Sequence, residues 1–340
     1  MSVLTTVPEP TDAALDSDRR RRSRGISKSL GDVGFRVSAR TSGLLVLTIM
    51  GLVGAFLLYR ALQALGVARW GFLTTEAWEP TAGNFGIRAV LFGTVLIGAT
   101  ATIVAVPLAI GTALYISEYA PSGIRRLLIS LVDLMAAVPS VIYGLWGFFF
   151  LQPQLIPIAK WISAHGQWLP LLRVDGADPN DPLASDTVYT SSTFIAGLVV
   201  AMMITPIASS VMREAFLQAP AGEREGAYAL GATKWGMIRS VVLPYGRGGI
   251  IGGTMLGLGR ALGETIAVFM IISPVFVVQP HILQNGANSV SALIALRYGE
   301  AGPLALSALF AAGLALFLMT LVVNFVAASI VARSRSGSEA

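Results

Sequence analysis

The 340 residues predict an all-α polytopic membrane protein with six transmembrane helices and both termini in the cytoplasm. Three observations carry this. Charged residues make up 13% of the chain and mean hydropathy is +0.69, against about 25% charge in an average soluble domain. The charges that exist leave uncharged runs of 19, 29, 26, 26 and 32 residues, at 41–59, 89–117, 134–159, 187–212 and 301–332. About 20 apolar residues cross a bilayer core as a helix. Basic residues also sort to one side: 17 of the 24 Lys and Arg fall on the face shared by the two termini and six on the other, which makes the first face cytoplasmic.

The expected spans are 42–62, 89–115, 127–151, 193–216, 248–273 and 304–331. The fifth is the exception to charge-free composition, because Arg260 and Glu264 interrupt it. Residues 1–41 form a basic cytoplasmic segment rather than a signal peptide, since the apolar run begins only near Leu44 and no small-residue cleavage site follows. Such a segment suits an orientation anchor on anionic lipid. Residues 42–332 form the transmembrane domain and 333–340 a cytoplasmic tail. The stretch 155–172, with Trp161 and Trp168, is expected as an interfacial helix. Segment 173–192, rich in Pro, Asp and Ser, is expected as an external loop.

Composition excludes much chemistry. The chain has no cysteine, so disulfides, thiol catalysis and Cys-based metal sites are ruled out. Its two histidines, His165 and His281, fall in external segments without sequence-adjacent carboxylates. No phosphate-binding Walker sequence and no nucleophile elbow occur, and nothing suggests nucleic acid. The run Gly257–Gly263 superficially resembles a phosphate loop but lies inside a span. Its glycines, with Gly248, Gly249, Gly252 and Gly253, fit small-xxx-small helix packing better.

Two features carry chemistry. Arg260 and Glu264 are four apart and would share one helix face. At a helix centre each costs about 2.5–3.5 kcal/mol on the insertion scale, so each needs a partner or a wet cavity. They either neutralise one another and set packing, or Arg260 meets an anionic solute in transit. The second feature is the long cytoplasmic loop 217–247, read as a short helix, a glycine turn at Gly231 and a second helix ending at Leu243-Pro244. It is a docking knob or a plain amphipathic connector.

The run Glu225-Gly-Ala227-Tyr-Ala-Leu-Gly231, closing at Leu243-Pro244, resembles the EAA loop of permease subunits from bacterial ABC importers. Gly226 departs from the pattern at the first Ala position. The stretches Leu131–Gly147 and Leu256–Thr265, with Val106-Pro107 and Ile116–Pro121, resemble the phosphate-importer (Pst) permeases, the PstC type more than the PstA type. The resemblance implies a type I ABC importer permease fold and a multi-pass protein of the bacterial inner membrane. The chain itself would be non-catalytic, bind no cofactor and leave ATP and Mg to a separate ATPase. It implies a PstA-like permease partner, two copies of a PstB-like ATPase, a PstS-like phosphate-binding protein and surrounding membrane lipids. Arg260, Glu264 and Thr265 would lie on the substrate pathway, and Glu225, Ala227, Gly231, Leu243 and Pro244 would couple to the ATPase. The competing readings are a permease for sulfate, molybdate or another oxyanion, and an ATP-independent secondary transporter or channel.

Overall fold

The computed structural model describes residues 30–176, 178, 181 and 185–336. The expectations for residues 1–29 and 337–340 lie outside these. The chain divides into two units, 1–55 and 56–340. In the first, the described residues belong to the N-terminal part of helix α1 (Leu30–Ala68). Its apolar side chains, Leu44, Leu45 and Leu47 among them, are exposed along the whole span window, as suits contact with lipid rather than with a protein core.

The second unit is a helical bundle. From Phe56 the rest of α1 meets the last helix: Ser307 Oγ donates to the Arg60 carbonyl at 2.7 Å and accepts the Ala64 amide at 3.1 Å. A two-residue hairpin, β1 (Trp78–Glu79) with β2 (Asn84–Phe85), follows. Next come α2 (Arg88–Leu114), which ends in a wide π turn over Tyr115–Tyr119, and the amphipathic α3 (Ser122–Ala137). α4 runs over Ser140–Gly166 and α5 over Thr193–Leu217. The loop 217–247 folds as α6 (Ala221–Ala229) and α7 (Lys234–Met237). The chain then forms α8 (Arg247–Gly263), α9 (Ile266–Ile271), α10 (Val290–Arg297) and α11 (Pro303–Ser336).

α5 is the centre of the bundle. It packs chiefly on α2 and α8, and α8 in turn packs on α2 and α11. Small residues permit this. A side chain at Gly253 would meet the Ala208 carbonyl of α5 at 2.8 Å and Met212 at 3.1 Å, and one at Gly257 would meet Ile204 at 3.6 Å. Gly249, one turn earlier, backs onto Ala215. The stripe 249/253/257 is therefore the packing face the glycine spacing predicts. Gly248, Gly252 and Gly263 have open space beside them and do not share that role within this chain.

Four expectations need correction. Among the described residues five helices, not six, are long and apolar enough to cross a membrane: Gly34–Ala68, Arg88–Tyr119, Ser140–Gly166, Thr193–Leu217 and Pro303–Val326. The fifth expected span, 248–273, is instead broken into α8 and α9 at Glu264-Thr265. The third crossing is not 127–151. Val138 precedes Pro139, whose ring disfavours helical backbone in the residue before it. Val138 accordingly takes φ −64°, ψ 128° and separates α3 from α4. Residues 155–166 therefore extend a span rather than form a separate interfacial helix. His281 also gains a carboxylate after all, its Nδ1 lying 3.6 Å from Asp175.

Candidate functional site

Arg260 and Glu264 sit at the break between α8 and α9, but not on one helix face. α8 ends at Gly263, and Glu264 is extended at φ −67°, ψ 127°. Among the described residues no ion pair joins them; each is served by a helix end. Arg260 lies in the last turn of α8, where the partial negative charge of the helix C-terminus favours a cation. Glu264, buried at 8% exposure, turns the other way. Its Oε1 accepts the Ala267 amide at 3.3 Å, capping the first turn of α9. Its carbonyl, freed by the break, accepts from Ser291 Oγ at 2.6 Å.

That serine belongs to a buried polar seam. Ser289 caps α10 by accepting the Ala292 amide at 3.2 Å, and lies 3.3 Å from Ser291 Oγ. Thr94 of α2 accepts the Val290 amide at 3.0 Å and donates to the Val90 carbonyl at 2.8 Å. The backbone groups released where α8 stops are thus paired within the protein, the condition for tolerating non-helical chain at membrane depth. Thr265 takes part in the same closure, its Oγ1 donating to the Gly263 carbonyl at 3.2 Å.

Arg260 faces open space. Together with Gly259, Gly263, Glu264, Ile207, Met255, Leu256 and Asn324 it lines a cavity of about 510 Å³. Arg260 is exposed. Asn324, from α11, is a contributor that sequence reasoning missed. Its signal was present, as the one Asn in the uncharged run 301–332. Beside the Glu264 carboxylate, the cavity offers a cation with no ion pair among the described residues, an amide and small residues that allow close approach; the guanidinium is the group that suits an oxyanion.

The loop 217–247 has the expected helix–turn–helix form. Gly231 adopts φ +83°, the left-handed conformation that ends a helix and favours glycine. The Gly231 amide reaches the Tyr228 carbonyl at 2.9 Å and the Ala232 amide the Ala227 carbonyl at 3.0 Å. Thr233 then caps α7 by accepting the Gly236 amide at 3.1 Å. Ala227 and Leu243 pack against the cluster formed by Met237, Ile238 and Val242 with α2 and α5. Glu225, Gly231 and Pro244 are exposed. So are Tyr228 and Trp235, and Leu230 at 91%. At Gly226 an alanine would meet open space, so the departure from the EAA pattern has no packing consequence in this chain.

Sequence reasoning also missed the anchor of this loop. Arg224 Nη1 lies 3.0 Å from both oxygens of Glu118, which is 106 residues away. Nη2 donates to the Phe216 carbonyl at 2.6 Å and Nε to the Ala219 carbonyl at 3.2 Å.

Comparison with known proteins agrees with this architecture. The family model "Binding-protein-dependent transport system inner membrane component" matches residues 105–336. The chain is 38% identical over 332 residues to the Mycobacterium tuberculosis phosphate transport system permease protein PstC 2, covering 96% of this chain and 98% of that one. It is 43% identical over 280 residues to the Mycobacterium leprae PstC permease, covering 81% and 85%. Among solved structures, a chain of a bacterial ABC transporter that imports the acidic polysaccharide alginate aligns with a TM-score of 0.52 at 19% identity, over 88% of this chain and 98% of that one. A chain of the inward-facing MetNI methionine ABC transporter aligns at 0.51 and 15% identity, over 73% and 95%. These two likenesses speak to the fold. Multi-pass helices, a broken helix lined by polar groups and a helix–turn–helix loop thus coincide with sequence kinship over nearly the whole chain: this protein belongs to the family of inner-membrane components of binding-protein-dependent transport systems, as a non-catalytic ABC-importer permease subunit homologous to the PstC permeases.

Proposed function

We propose that this subunit forms one half of the membrane pathway of an ATP-driven importer of inorganic phosphate. The observation that carries the substrate is Arg260, an unpaired guanidinium in a cavity at a helix break, in a chain whose relatives are phosphate permeases. A guanidinium offers parallel N–H donors matched to two phosphate oxygens. Glu264 holds the break, and with it the position of Arg260, by capping α9; Thr265 closes the same turn. The α8–α9 pair then completes a sixth crossing, which returns both termini to the cytoplasm, in line with the distribution of basic residues. Domain limits follow: a basic segment 1–41, a permease domain 42–332 and a tail 333–340.

A PstA-like permease lines the other half of the pathway. Two PstB-like ATPases, which hold the ATP and Mg, receive the knob 217–247 and its counterpart. A PstS-like protein delivers phosphate from outside. In the knob, Ala227 and Leu243 set the pose, Gly231 the turn, and Glu225 and Pro244 lie on the contact surface. The exposed Leu230 and Trp235 support a docking role, since apolar side chains on a polar loop mark protein contacts. The coupled rocking of the two permeases gives alternating access.

The test is phosphate uptake by proteoliposomes containing all four kinds of subunit, with each omitted in turn and with sulfate or molybdate in excess. Uptake that requires every component and ignores the other oxyanions supports the assignment. Inhibition by sulfate or molybdate transfers it to that anion, and uptake without ATP refutes it.

A further inference from the structure

Three cationic side chains, from three different helices, converge on the turn that ends α2. Arg224 of α6 holds Glu118 with 3.0 Å contacts to both carboxylate oxygens. Lys234 of α7 places Nζ 4.6 Å over the Tyr119 ring. Arg125 of α3 donates from Nη2 to the Ser117 carbonyl at 3.1 Å and the Ala120 carbonyl at 3.4 Å. The turn itself is wide, with the Ala120 amide reaching back to the Tyr115 carbonyl at 2.7 Å. π turns of this kind recur at functional sites within helices. The Glu118 side chain is 4% exposed and that of Arg224 21%, so the pair is little screened by water.

The remaining contacts of the knob are of a different kind. Met237, Ile238 and Val242 sit on apolar side chains of α2 and α5, an attraction without direction that permits sliding. The Arg224 fork is directional. It grips α2 through Glu118, the C-terminus of α5 through Phe216, and the linker through Ala219. α2 and α5 are also helices against which α8 packs, and α8 carries Arg260.

We propose that the Tyr115–Tyr119 turn is where movement of the cytoplasmic knob enters the membrane helices, with Arg224–Glu118 as the rigid strut and Lys234 and Arg125 steadying the turn on either side. This rests on the reading of 217–247 as the ATPase-docking knob. Arg224 and Glu118 are positioning residues: they touch neither substrate nor nucleotide and act through α2 and α5 on the pathway.

The experiment measures phosphate imported per ATP hydrolysed in the reconstituted four-component complex, with assembly monitored by size-exclusion chromatography. Arg224→Lys and Glu118→Gln each lower that ratio at least fivefold in assembled complexes, and the double variant is no worse than the worse single one. The chain has no native cysteine, so Glu118→Cys with Arg224→Cys, in otherwise cysteine-free partners, can be bridged by a short bifunctional thiol reagent. Unbridged, the pair is uncoupled; bridged, it recovers the parental ratio to within about twofold, which a purely local folding defect would not do. Single variants with the parental ratio, or a bridged pair no better than the unbridged one, overturn the strut while leaving the permease assignment intact. A parent complex that does not link uptake to ATP overturns both. Should Arg224→Lys fail to assemble, the isosteric Glu118→Gln decides.

Discussion

Replacing Arg260 by alanine separates transport from folding, and the structure sets the size of both effects. The guanidinium is exposed in its cavity and joined to no carboxylate among the described residues. The fold therefore loses only the favourable placement of a cation in the last turn of α8, about 0.3–1 kcal/mol. Transport loses charge-assisted hydrogen bonds to the anion, about 1.5–3 kcal/mol. At 1.36 kcal/mol per factor of ten, the uptake rate at low phosphate falls by roughly one to two orders of magnitude. Arg260→Lys retains the charge but not the planar fork, and a smaller loss, of about threefold to tenfold, is expected. The assay is initial-rate uptake of radiolabelled phosphate in proteoliposomes, with thermal melting of the purified chain in detergent as the folding control. Parental uptake by Arg260→Ala would refute the pathway role. A large melting shift in the same variant would refute the claim that the fold does not depend on this side chain.

Further substitutions at four positions test the surrounding framework. Gly231→Val forces a β-branched residue into φ +83°, at a cost of about 1–2 kcal/mol; ATP hydrolysis then loses its response to the loaded binding protein, and an unchanged response would refute the role of the turn. Gly253→Val drives a side chain into the Ala208 carbonyl and Met212, costing about 1–3 kcal/mol and lowering the melting temperature of the isolated chain, whereas Gly252→Ala, with open space beside it, leaves that temperature within error. Glu264→Ala removes the cap on α9 and costs about 0.5–2 kcal/mol; Glu264→Gln keeps an acceptor for the Ala267 amide and recovers most of it, as differential melting will show.

Much of the architecture was legible in the chain because lipid punishes charge so heavily. The uncharged runs locate α2, α5 and α11 to within a few residues in their membrane windows, and the glycine spacing of α8 marks its packing face on α5. The misplaced third crossing came from weighing hydropathy above Pro139, although the backbone restriction that proline places on Val138 was readable in the sequence. The EAA-like segment was likewise legible, because a left-handed glycine between two short helices is a local requirement.

The relation of Arg260 to Glu264 was not local. Spacing of four puts two residues on one face only while the helix continues. The chain 261–266 contains no proline to stop it, and the carbonyl released there is satisfied by Ser291, 27 residues further on. Asn324 reaches the cavity from the last helix, and Glu118 meets Arg224 across 106 residues. The sequence by itself determined which segments can live in lipid and which turn the loop 217–247 must make, because desolvation and backbone sterics act on each segment alone. Only the tertiary structure decided which charges stand alone and which are paired, because that depends on what packing brings within about 3 Å.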